Sequence, residues 1–600
     1  MRRAKLLLAA AAAAGLGGQL ASGANYTWLS FAGGTYQWNG AGVWSPAGFP
    51  NADNDSALLS GAITGGPLNV GLPANFTVAT LSVGDTNAVF PIDIGAGNSG
   101  GGVLTFDNSA GAGTATIVQA GGSGAVTTFS APVQLGRVVG AGTTAVNSNI
   151  WFEGNAGTFN FNDVTLFSDP DASDGTALVS RTLRLNSGSQ TTGATWVFNN
   201  IQLSQPGAVT RGQLVIASAQ RNSPTVSFAH GGTVIFNGVI SNGGITGGQV
   251  LLGQAGGNGN TVATVPTTFV FNTNNTYNGT TQLNRGIFLI KADQPFGTGL
   301  VNQNAIANAF GTEIRTDNDS RAIPNNIQIA HTLLMGGEHS ITWNGHSFQS
   351  NNRELLNLLP EGKTWTINGF VAAATAADGA TETARALTFD GAGNTVVNGP
   401  IYNHRRPWFP GSSGDAAMDR AVDPDFGAFG GLAKRGTGIL TINSTVLPTI
   451  SDGTTSFTGP PSTLLGPTSV AGGLLQFASP EAYGRITSWS GGSLSINNSP
   501  GTSRINVIAG GAIGVLTGTL TPEFLAKFNN STMAIGNSGA VALAPADAAV
   551  NIDYTTAPFN GAGLVGTSIG AVASGVTYTG TITPDATRGY RLGGGGTLTL

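Results

Sequence analysis

Short alternating segments of four to six residues, each closed by Gly, Asn, Asp or Ser, run through almost the whole chain. Gly438-Ile-Leu-Thr-Ile-Asn443, Gly492-Ser-Leu-Ser-Ile-Asn497 and Thr233-Val-Ile-Phe-Asn-Gly238 are examples. In the first two, Leu440 and Ile442, or Leu494 and Ile496, alternate with small or polar residues. A period of two describes a half-buried strand, and the Asn-Gly and Gly-Gly pairs supply the positive φ that turns require. Helix-like composition is confined to Arg353–Leu359 and Thr521–Phe528 beyond the N-terminus. The chain is therefore expected to be all-β, and a doubly wound α/β fold is excluded.

The repeats narrow the architecture. Strands ending in Asn-Gly recur at Ile341–Gly345, Thr364–Gly369 and Thr395–Gly399, with the pairs 24 and then 30 residues apart. A second element, Arg321–Ile327 and Arg353–Leu359, lies upstream of two of them. Irregular periods in the twenties fit a solenoid of about 22 residues per coil with loops of variable length. A single sandwich or barrel of 600 residues is disfavoured by its size.

Charge composition agrees. Only 9% of the residues are charged, and 92 are Gly. In a parallel solenoid each side chain sits about 4.8 Å from its counterpart in the next coil. Like charges repel there, whereas stacked Asn, Thr, Ser and Gly share hydrogen bonds or pack closely. The formal charge of -5 provides no basic footprint for nucleic acid. The absence of Cys excludes disulfides, thiolate metal sites and a cysteine nucleophile.

Residues 1–24 read as a secretory signal peptide. Arg2, Arg3 and Lys5 precede an apolar stretch from Leu6 to Leu16, and small residues Ser22, Gly23 and Ala24 follow. The stretch is too short to span a bilayer, so no membrane span is expected within the chain. Export to an extracellular or outer cell-surface location follows.

Two stretches resemble the autotransporter-associated β-strand repeat, also called the passenger-associated transport repeat. One is Gly430-Gly-Leu-Ala-Lys-Arg-Gly-Thr-Gly-Ile-Leu-Thr-Ile-Asn443 with Val470–Phe477 and Ala478–Gly484. The other is Asn275–Leu289 with Ala292–Gly299, and Gly593–Leu600 looks like the opening of a further copy. Thr35–Gly40 with Val43–Ser45 resembles the first coil of large exported bacterial repeat proteins. The resemblance implies a right-handed parallel β-helix, pectin-lyase-like in shape, within a secreted or surface-displayed passenger that serves as stalk or adhesin without catalysis. The expected layout is a signal peptide at 1–24, N-terminal and middle coils at 25–402, an inserted loop at 403–429, and repeat-bearing coils at 430–600 that continue beyond Leu600.

Candidate sites are few. The segment 403–427 holds Arg405, Arg406, Asp415, Asp419, Arg420, Asp423 and Asp425 around Trp408 and Phe409. It reads as a surface loop, with Arg405, Arg406, Trp408 and Phe409 as a candidate binding protrusion toward a glycan or a neighbouring cell surface. Gly566-Thr-Ser568-Ile-Gly570 matches the serine-hydrolase pattern but lacks the following helix. His331, Glu338, His339 and His346 cluster in sequence without metal-site spacing. Asp169, Asp171 and Asp174 have the spacing of a calcium loop without its closing glutamate, and read as an acidic turn, as do Asn51–Asp55 and Arg315–Asp319.

No cofactor, metal or catalytic residue is expected. The enzymatic alternative, a β-helix polysaccharide lyase or hydrolase, needs paired carboxylates. The acids look scattered over turns, with no pair one coil apart. A glycan-binding surface protein would expose an aromatic row, for which Trp343, Trp365 and Trp408 are the candidates.

Overall fold

The computed structural model describes residues 23–96, 101–108, 115–121, 124–136, 150–154, 157–167, 178–186, 194–206, 211–217, 232–253, 266–303, 311–349, 351–372, 374–375, 383–384, 386–402, 431–444, 449–451, 456–458, 468–479, 482, 505–526, 528, 538–561 and 563–600. Most of the expected export segment lies outside them. Ala24, at its end, is already tied to the first coil, its N–H donating to Asp55 Oδ1 at 3.0 Å. The chain forms two units, Met1–Thr280 and Thr281–Leu600. Each is a right-handed parallel β-helix.

In the first unit one face stacks Asn25–Trp28, Ser56–Gly61, Thr80–Asp85, Ala115–Gln119, Ile150–Gly154, Leu178–Asn186, Arg211–Ala217 and Gln249–Leu252. The other two faces merge through long bent strands. Thr158–Leu166 pairs its first half with Val126–Phe129 and its second with Val133–Leu135. Ile117 lies opposite Phe152 and Ile216 opposite Leu252, so these coils take 35 and 36 residues, well above the expected 22.

The alternation of large inward and small outward residues builds an aromatic column inside. Phe129, Phe161, Phe198, Phe236 and Phe271 occupy one register position in five successive coils. All five are buried. Ring centroids are 4.8 Å apart for Phe129–Phe161, 5.1 Å for Phe161–Phe198 and 5.0 Å for Phe236–Phe271. Phe198–Phe236 is wider at 6.1 Å, so the coil spacing sets the ring spacing at three of the four steps. At the N-terminal end Trp28, Trp38 and Trp44 pack edge to face at 4.9 and 5.1 Å, under the antiparallel pairing of Trp44–Ser45 with Asn25–Trp28. Trp38 and Trp44 donate their indole N–H groups to Pro50 O and Trp38 O.

The second unit is a three-faced coil. The first sheet contains Val301–Gln303, Ile327–Ile329, Ser347–Gln349, Val371–Ala372 and Ile401–Tyr402. The second contains Gly286–Ile290, Thr312–Thr316, Leu333–Gly337, Arg353–Asn357, Leu387–Gly391, Leu432–Lys434, Thr468–Val470 and Ile505–Val507. The third has ten strands among the described residues, from Arg321–Ile323 and Ile341–Trp343 to Leu592–Gly595.

Two sequence expectations change here. Arg353–Asn357 is a strand, because pairing on both sides and the inward packing of Leu355 and Asn357 override its helix-like composition. Arg321–Ile327 and Arg353–Leu359 are also not equivalent, since Arg321–Ile323 belongs to the third sheet and Arg353–Asn357 to the second. The stretch from Thr521 does hold a helical turn, Pro522–Leu525, with Thr521 as N-cap.

The Asn-Gly pairs form two columns at one corner. Asn368 donates to Asn344 Oδ1 at 2.7 Å, Asn398 to Asn368 Oδ1 at 2.8 Å and Asn443 to Asn398 Oδ1 at 2.8 Å. Beside this ladder Gly369 and Gly399 are required by close approach. A Cβ would fall 2.1 Å from Gly345 O and 2.1 Å from Gly369 O, respectively. Buried carboxylates organise other corners. Asp85 accepts backbone N–H bonds from Ile63, Asn87, Val89 and Phe90. Burial pushes its pKa up, but these four bonds outweigh it and the net shift is downward.

Phe198→Ala is expected to cost about 3–5 kcal/mol by leaving a cavity between stacked rings. Gly369→Ala should also destabilise, because the obstruction is backbone. Denaturant unfolding of the intact chain measures both, and near-wild-type midpoints would contradict the stacking account.

Candidate functional site

Outward positions of the second sheet carry a group of charged residues on successive coils, Glu354, Asp390 and Arg435. The register places Leu356 beside Asp390 and Glu354 beside Thr388, so the two carboxyl side chains are diagonal neighbours on consecutive coils. Arg435 follows on the next coil, its N–H donating to Phe389 O at 2.8 Å. Burial raises the Glu354 pKa, and the neighbouring Asp390 carboxylate raises it further. Arg435 and the Thr332 hydroxyl oppose the rise without cancelling it. The net shift of Glu354 is upward. This pair corrects the expectation that no two acids lie one coil apart. They are 36 residues apart because the hairpin Ala374–Thr375 with Thr383–Ala384 lengthens that coil, which hides the pairing from a search at 22 to 24 residues.

Beneath them Lys434 points inward and is 3% exposed. Its ammonium donates to the carbonyl oxygens of Arg435, Gly436 and Gly472, the last two at 3.0 and 3.4 Å. Burial pushes its pKa down to about 8, and Asp390 opposes that shift. The contacts tie the bend between the second and third sheets to the following coil.

Chemically, burial and the neighbouring Asp390 charge favour the protonated form of Glu354 relative to an isolated carboxyl group.

Other candidates fall in different places. Arg405, Arg406, Trp408 and Phe409 lie outside the described residues, as do Asp169, Asp171 and Asp174. Segment 403–430 joins Ile401–Tyr402 of the first sheet to Leu432–Lys434 of the second, the same junction that carries the Ala374–Ala384 hairpin one coil earlier. Trp343 and Trp365 are 1% and 2% exposed, which corrects the idea of an exposed aromatic row. They face inward because Ile341, Trp343, Trp365 and Ile367 share the apolar phase of their strands.

Ser568 begins the strand Ser568–Ala571, and its hydroxyl donates to Gly539 O and Gly593 O. Among the described residues no group of three or more His, Cys, Asp or Glu converges as metal ligands. The histidines separate. His331 donates its backbone N–H to Gln303 Oε1 at 2.8 Å, whereas His346 stacks on Phe370 with centroids 3.9 Å apart. His346 Nδ1 accepts the Phe370 N–H, and burial lowers its pKa to about 4. Asp55, from the expected acidic turn, accepts the N–H groups of Ala24 and Asn51, and Arg315 pairs with Glu313 at 2.6 Å.

No protein-family model, curated protein or solved structure matches this chain.

Two pH effects follow. The folded pKa of Glu354 lies above its unfolded value near 4.5. Its contribution is therefore complete below that value and lost as pH rises through the folded pKa. Stability curves of Glu354→Gln and wild type should diverge in that window, and parallel curves would contradict a raised Glu354 pKa. For Lys434 the unfolded chain binds more protons between about 8 and the ordinary 10.5. Its contribution thus makes stability rise across that interval. Lys434→Met should abolish that rise in urea unfolding.

Proposed function

We propose that this chain is the β-helical scaffold of a secreted or cell-surface structural and adhesive protein, acting without catalysis. The observation that carries this reading is the Asn344–Asn368–Asn398–Asn443 ladder, in which outward amides bond to their counterparts in adjacent coils. Gln213 with Gln249 repeats the arrangement elsewhere. A wall built this way uses its polar groups to hold itself together, so recognition falls to the segments inserted at the corners. Segment 403–429, with Arg405, Arg406, Trp408 and Phe409, is the first such segment to consider, with a glycan or a neighbouring cell surface as partner. The basic and apolar residues 1–24 support export, and the repeat-like stretches at 275–299 and 430–484 support a bacterial passenger.

The polysaccharide lyase or hydrolase reading is less favoured, because the outward polar groups of the described wall bond to their counterparts in adjacent coils. Expression of the full chain in a bacterial host, followed by fractionation and intact mass, tests the reading. An exported product lacking the N-terminal segment is expected, and an unprocessed chain in the cytoplasm would refute export. Beads coated with the chain should adhere to cells, and deletion of 403–429 should reduce adhesion severalfold while unfolding stays cooperative. Undiminished adhesion would remove the loop from the proposal.

A further inference from the structure

The corner between the third and first sheets carries a further column, one residue beyond Gly345, Gly369 and Gly399. The register of Ile327, Ser347, Val371 and Ile401 sets Asn326, His346, Phe370 and Pro400 at one position on four successive coils. The first two use a side chain to hold the coil that follows. Asn326 Oδ1 accepts the His346 backbone N–H at 2.8 Å, and His346 Nδ1 accepts the Phe370 backbone N–H at 3.3 Å. The His346 ring lies on the Phe370 ring, with centroids 3.9 Å apart and planes inclined by 21°. Phe370 is buried and meets Phe348 edge to face at 5.4 Å, whereas His346 is half-buried.

The two acceptors differ in one respect. An Asn carbonyl oxygen accepts at every pH, whereas an imidazole nitrogen accepts only while the ring is neutral. Accepting through Nδ1 places the single proton of the neutral His346 ring on Nε2. We propose that His346 makes this corner acid-sensitive: when the ring gains a proton at Nδ1, the Phe370 N–H loses its acceptor and the turn between Thr364–Ile367 and Val371–Ala372 opens locally. A flipped ring does not restore the bond, since both nitrogens of an imidazolium are donors. The Phe370 face attracts a charged ring, but that attraction supplies no acceptor to the amide. Apart from His346, residues 294–302, 322–330, 340–349, 364–372 and 394–401, which build this corner on successive coils, contain no charged or titratable side chain. Asp293, Arg321, His331, His339, Lys363 and Tyr402 lie just beyond the ends of these segments. Burial pushes the His346 pKa down to about 4, which sets the switch in the acid range. The device belongs to the fold and stands whether or not the chain is exported.

Amide hydrogen exchange on the full chain is the test, with protection taken as the ratio of intrinsic to observed exchange rate at each pH. The His346 amide, whose acceptor is Asn326, serves as the internal reference. An opened corner leaves the ring with its ordinary pKa of 6.5, so opening becomes easier as pH falls from there to about 4 and levels off below it. Phe370 protection should therefore fall, relative to His346, by on the order of a hundredfold between neutral pH and the acid plateau. His346→Asn, which installs the neutral acceptor used one coil earlier, should remove this pH dependence. His346→Phe, which keeps the stack without an acceptor, should show low Phe370 protection already at neutral pH. Equal pH dependence at Phe370 and His346 in the wild-type chain, or the same acid loss in His346→Asn, would overturn the proposal.

Discussion

In-register stacking of parallel coils governs this protein. When a strand repeats at about 4.8 Å above itself, each side chain must tolerate a neighbour at that distance on both sides. Aromatic rings meet the condition inside the first unit, where Phe129, Phe161, Phe198, Phe236 and Phe271 form one column. Amides meet it outside, because Asn donates through one atom and accepts through another, and so extends a chain of identical contacts. Carboxylates and ammonium groups cannot, which accounts for the low charge.

Where charge does enter the described wall, it is compensated by an exceptional arrangement. Glu354 and Asp390 are diagonal neighbours next to Arg435, with the Glu354 pKa raised, and Lys434 is turned inward onto carbonyl oxygens. Asp85 is enclosed by backbone N–H groups. These are solutions to the repulsion and desolvation that a coil stack imposes. The same logic makes His346 informative, since a titratable ring takes the acceptor role that Asn326 fills one coil earlier.

Much of the fold was legible in the residues. Alternation in segments such as Ile439–Ile442 identified strands, and the Asn-Gly recurrence located a real ladder despite its uneven spacing. Coil length was not legible in the first unit, because long bent strands such as Thr158–Leu166 serve two faces without a turn signal between them. The candidate site was less legible still. Glu354 and Asp390 become neighbours across a coil lengthened by a hairpin, whereas the inward direction of Trp343 and Trp365 was already present in their alternation with Ile341 and Ile367.

The sequence alone determined the class of solution: period-two segments, few charges and turn-forming Asn-Gly pairs leave a parallel stack as the consistent outcome, because each is a local property of the chain. The tertiary structure decided which residues become neighbours. Register depends on how many residues each corner absorbs, and only the closed coil converts that number into a contact. Thus His346 faces Phe370, Lys434 faces carbonyls, and Glu354 finds Asp390 through pairings that no fixed sequence interval encodes.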